Sequence, residues 1–80
     1  MKITNKEHID ALLDTVKQCK SDVYLKSVQG DQYNLKSELS TYIAIGDLLS
    51  DRGDDLELFC NNPEDESKFL RFFSENPEVL

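Results

Sequence analysis

The sequence predicts an α+β fold: an open-faced two-layer sandwich of order βαββαβα, with a four-stranded antiparallel sheet and three helices on one face. Three observations point there. Apolar residues recur at helical spacing in three segments, they alternate with polar residues in short runs between those segments, and turn residues mark the changes of period. Strands with one apolar side need a single covering layer, and three amphipathic helices supply it. The 80 residues form one domain, and a chain of this size buries only about 60% of the surface its unfolded form exposes.

Met1 to Thr4 alternates apolar and polar residues and predicts a short first strand. Thr4 or Asn5 then caps a helix whose buried face is Ile9, Leu12, Leu13, Val16 and Cys19. Val23 and Leu25 share one side of an extended segment, Tyr33 and Leu35 one side of the next, and Gly30-Asp31 turns the chain between them, so the pair reads as a hairpin. A second helix starts at Ser37, with Leu39, Ile43 and Gly46 at helical spacing and Tyr42 beside them; its end is open. In the following loop Gly53 is expected to take a positive φ. Leu56, Leu58 and Cys60 alternate with Glu57 and Phe59 as a half-buried strand, leaving Phe59 and Tyr24 on the uncovered face of the sheet. Asn61-Asn62-Pro63 opens the last helix, Glu64, Asp65 and Glu66 suit its positive end, Phe69, Phe72 and Phe73 form its buried face, and Asn76-Pro77 ends it.

The net charge of −7 is unevenly placed, because residues 1–40 carry six lysines against six acidic residues while residues 41–80 carry three basic against ten acidic. Phosphate backbones and anionic membranes attract clustered lysine and arginine, so nucleic acid and membrane insertion are not expected. No signal-peptide pattern stands near Met1, and cytoplasmic residence is the default expectation. Cys19 and Cys60 lack a CxxC spacing and continue apolar patterns, which predicts reduced thiols; neither a metal nor a cofactor is expected.

The element order, with "KSDVYL", "YNLKS" and "DLELFCNNPEDESKFLRFF", resembles HPr, the histidine-containing phosphocarrier family of the bacterial sugar phosphotransferase system. The likeness implies an HPr-like domain over residues 1–80 and a regulatory serine, here Ser37, at the start of the second helix. The family's phosphoacceptor histidine falls at Asn5 and its arginine at Glu7, so the active-site motif is absent. His8, the sole histidine, is the remaining phosphoacceptor candidate. It is expected to face solvent in the first helical turn, where Glu7 and Asp10 repel an incoming phosphate.

Ser37 reads first as a helix cap, and second as a phosphorylation site at the positive end of a helix dipole, helped by Lys36 and opposed by Glu38. The resemblance implies Leu39, Ser40, Tyr42 and Ile43 as the candidate partner surface. Three functions follow from the sequence: a non-enzymatic regulatory or protein-binding module with phosphotransferase-system or kinase components as partners, an active phosphocarrier using His8, or a small acidic inhibitor or immunity-type protein whose residues Asp47 to Glu66 meet a basic partner.

Overall fold

The structure, a computed structural model, describes residues 1–3, 5–50 and 53–79. In chain order it comprises helix α1 (Lys6–Gln18), strands β1 (Val23–Lys26) and β2 (Gln32–Asn34), helix α2 (Glu38–Leu48), strand β3 (Glu57–Cys60) and helix α3 (Pro63–Glu75), with 3-10 turns at Gly53–Asp55 and Pro77–Val79. The strands are antiparallel in the order β2-β1-β3, and Leu25 at the centre stands opposite Tyr33 on one side and Leu58 on the other. Val23 and Leu25 are fully buried on one face of this sheet, in a core shared with Leu12 and Val16 of α1, Ala44 and Leu48 of α2, and Phe69 and Phe72 of α3. The other face is left to water, where Phe59 pairs with Tyr24 and lies under the Lys26 ammonium at 4.7 Å.

The fourth strand expected at the N-terminus does not form, so the four-stranded HPr-like sheet is replaced by a three-stranded one. Residues 1–3 carry no regular structure, and Thr4 lies outside the described residues. A ladder needs successive backbone bonds to one neighbour, whereas this segment distributes its donors. The Met1 ammonium donates to the carbonyls of Asp54 and Leu56, both at 3.1 Å, and the Lys2 amide donates to the Val79 carbonyl at 2.6 Å. Ile3 is buried in the core. The apolar alternation read as a strand is thus one anchoring side chain beside a half-buried methionine.

The helix ends follow the sequence closely. Asn5 caps α1 by accepting the His8 amide at 2.9 Å, Asn62 caps α3 by accepting the Glu64 amide at 2.9 Å, and α3 stops at Asn76 before Pro77. The last carbonyls of α1 are met by lysines from distant segments: Lys36 Nζ donates to Val16 O at 2.8 Å and Cys19 O at 2.6 Å, and Lys68 Nζ to Gln18 O at 2.6 Å. Cations at a helix C-terminus neutralise its negative end. The positive φ expected at Gly53 occurs instead at Gly30, at +97° in the hairpin turn. Gly53 is needed for space, because a Cβ there would lie 2.2 Å from the Leu48 carbonyl oxygen.

Asp65, one of the three acidic residues in the first turn of α3, does more than suit the positive end of the helix. Its side chain is fully buried and accepts the amides of Lys20 at 3.0 Å and Ser21 at 2.9 Å, with Lys68 Nζ at 3.7 Å. Burial pushes this carboxyl up, but the two amides and then the Lys68 and Lys36 charges outweigh it and hold the group below the usual carboxylate range. The arrangement joins the end of α1 to the start of α3. Both cysteines are free, Cys19 buried and Cys60 half-buried, and burial is the main cause that pushes both thiols up.

Candidate protein-binding face

Helix α2 is apolar on two opposite sides. One stripe comprises Thr41, Ala44, Ile45 and Leu48; the other comprises Leu39, Tyr42, Ile43 and Gly46, continued by the capping residue Leu49. The stripes are two residues apart in sequence, or about 200° around a helix at 3.6 residues per turn. Only one can meet the core. Ala44 and Leu48 are buried, whereas Leu39, Tyr42, Ile43 and Leu49 keep 73%, 77%, 53% and 54% of their surface exposed. The spacing of Leu39, Ile43 and Gly46 that marks the helix is thus the spacing of its outward face.

Several contacts hold α2 in this rotation. Thr41 Oγ1 donates to the Leu35 carbonyl at 3.0 Å, the Tyr33 hydroxyl donates to the Asp47 carboxylate, and the Gly53 backbone closes on the Leu48 carbonyl. Between α1 and α2 runs an open cleft of about 640 Å³ floored by Leu13, Val16, Leu35 and Ile45, and Tyr42 forms part of its wall. Tyr42 thereby joins the cleft to the exposed stripe. The candidate surface residues Leu39, Tyr42 and Ile43 are brought together on the outside; Ser40 is half-buried and donates its amide to the Ser37 hydroxyl at 3.4 Å.

Ser37 is the N-cap of α2, with its own amide donating to the Asn34 carbonyl at 3.0 Å. Lys36, expected to assist a phosphate at Ser37, instead has its ammonium committed to the C-terminal carbonyls of α1. His8 is not solvent-facing as the sequence suggested. It is buried, and its Nε2 lies 2.7 Å from Glu78 Oε1 in the C-terminal turn. A carboxylate accepts, so Nε2 carries the donated proton. Nδ1 is enclosed with no partner among the described residues. The amide of Glu78 itself and then the His8 ring hold the Glu78 carboxyl below its usual range. The nearest lysine in sequence, Lys6, pairs with Asp10 at 3.1 Å on the exposed side of α1.

Two features escaped the sequence reading. The Asp65 anchor and the His8–Glu78 pair each join residues more than forty positions apart, and no local pattern announces either. The outward stripe did leave a signal, because a helix apolar on both sides has a second face to account for. Among the described residues no group of histidine, cysteine or carboxylate side chains is arranged to hold a metal, and no helix is long and apolar enough to cross a membrane. Comparison with known proteins finds no matching family, no matching characterised protein and no matching solved structure.

Proposed function

We propose that this protein is a non-enzymatic protein-binding module that docks its partner on the outward stripe of α2. The exposure of Leu39, Tyr42 and Ile43 on one helix face carries the reading. Isolated exposed apolar residues are ordinary, but a contiguous set at helical spacing is the pattern of a recognition surface. The environment of His8 supports the absence of phosphocarrier activity, since one ring nitrogen faces a carboxylate and the other is enclosed by protein. An imidazole accepts a phosphoryl group through an open nitrogen flanked by cationic or amide donors. The cap geometry of Ser37 supports a structural role there. Phosphotransferase-system or kinase components are the partners that the sequence resemblance implies.

The test uses the chain immobilised beside a Leu39→Ser/Ile43→Ser variant and exposed to extract of its native cell. Proteins retained by the parent chain are expected to be lost with the variant, and identical retention by both baits would remove α2 from the binding role. Incubation with phosphoenolpyruvate and the general phosphotransferase enzyme is expected to leave no acid-labile phosphate; phosphate on His8 would restore the carrier reading.

A further inference from the structure

Resting on the α2 reading, we infer that the partner presents a cationic amphipathic helix, whose apolar ridge lies along Leu39, Tyr42, Ile43 and Leu49 and whose lysines or arginines meet carboxylates at the Leu49 end of α2. The charge distribution selects this occupant. Helix α2 contains Glu38 and Asp47 and no basic residue, and from Asp47 to Glu57 the sequence has five carboxylates against one arginine. Because Gly53 closes on the Leu48 carbonyl, the exposed Asp54 and Asp55 follow directly beside the C-terminal end of the stripe. The Met1 ammonium is held there by backbone carbonyls of Asp54 and Leu56. No ion pair engages either the Asp54 or the Asp55 carboxylate among the described residues.

The helix dipole adds to this field. The last turn of α2 has no basic side chain of its own, and among the described residues no lysine donates to its last carbonyls as Lys36 and Lys68 do to those of α1. With the Met1 ammonium counted beside the one arginine, the five carboxylates still leave this end of the stripe net negative, and a cation placed there is favoured.

A second copy of this chain is the weaker occupant. The four exposed side chains offer on the order of 500 Å² of apolar surface, the size of a functional patch on a monomer, so charge rather than area separates the occupants. Two copies each carry a net charge of −7 and repel. With a cationic helix, charge attraction supplements the apolar contact. Residues at spacings of three and four on the stripe match the rise of a helix laid along it.

The probes are three synthetic helical peptides sharing one leucine ridge, flanked by lysine, by glutamate or by glutamine, titrated into the full chain with binding read from amide shifts on α2. The lysine peptide is expected to bind at least about tenfold more tightly than the glutamate peptide, and to weaken about fivefold as salt rises from about 0.05 to about 0.3 M. Asp54→Asn/Asp55→Asn should lower its affinity about threefold and flatten the salt response. Leu39→Ser/Ile43→Ser should abolish binding, while Leu70→Ser, on an exposed position of α3, should not; thermal melts of every variant establish that the fold is kept.

Equal binding of the three peptides, lost with the α2 variant, overturns the cationic partner and leaves the α2 docking reading standing. A concentration-dependent dimer abolished by Leu39→Ser/Ile43→Ser does the same by putting a second copy on the stripe. Lysine-peptide binding that survives the α2 variant overturns both, as does the absence of binding by any peptide together with a monomer at all concentrations.

Discussion

Helices α1 and α3 differ from α2 in what they do with apolar surface. Leu12 and Val16 on α1, and Phe69 and Phe72 on α3, place their buried side chains in one core, and the polar atoms between these helices are tied by Asp65, Lys68 and Lys36. Helix α2 buries Ala44 and Leu48 and leaves larger side chains in water. In the first region the apolar residues are fold, the exposed Leu70 on α3 excepted; in the second a contiguous set of them is surface. Composition does not separate the two, and only the surroundings do.

Substitution makes the contrast measurable. The largest effect is expected at Phe72→Ala, which removes a buried ring and should cost about 3–5 kcal/mol in urea unfolding, whereas Leu39→Ala on the outer stripe should stay within about 0.5 kcal/mol. Comparable losses at the two sites would place Leu39 in the core and end the distinction.

Acid titration probes the polar side of the first region. The Asp65 carboxyl is lower in the folded than in the unfolded chain, so its contribution is fully present above the unfolded value and is lost as pH falls through the folded one. The depressed carboxyl of Glu78 acts in the same direction. Thermal melts should therefore show the midpoint dropping below the normal carboxylate range. Asp65→Asn should lower the neutral-pH midpoint and flatten that acid limb; an unchanged limb would mean the carboxylate is not ionised where it sits.

The glycine after α2 and the glycine within it should respond with opposite signs. Gly53→Ala forces a methyl into the Leu48 backbone and is expected to destabilise by about 1–3 kcal/mol. Gly46→Ala meets open space on the outer side of the helix and should stabilise by about 0.5–1 kcal/mol. Denaturant midpoints decide both, and a destabilising Gly46→Ala would indicate that the outer side is already covered.

Local chemistry was legible where one side chain decides an element. Asn5 and Asn62 as caps, Gly30-Asp31 as a turn, Ser37 as a helix start and Asn76-Pro77 as a stop all act through neighbours within a few residues. On α2 the resemblance pointed to Leu39, Tyr42 and Ile43 as surface, but periodicity alone did not choose the buried face, because 41, 44, 45, 48 and 39, 42, 43, 46 fit the helical period equally well. The choice between them is made by Leu35, Tyr33 and Gly53, outside the helix. His8 was read as exposed because its near neighbours are charged; the residue that receives it, Glu78, is seventy positions away. The missing strand has the same origin, since Met1, Lys2 and Ile3 are fastened by Val79, Asp54 and Leu56.

The Lys2 amide and the Val79 carbonyl lie 2.6 Å apart, and this closeness has a topological consequence. A bridge of about three to five residues spans such a gap without strain, so the polypeptide can be made into a ring or reopened elsewhere. The exposed tip at Val28 to Asp31 is the natural place for new ends. A permutant cut there keeps α2 and its outward stripe in the middle of the chain.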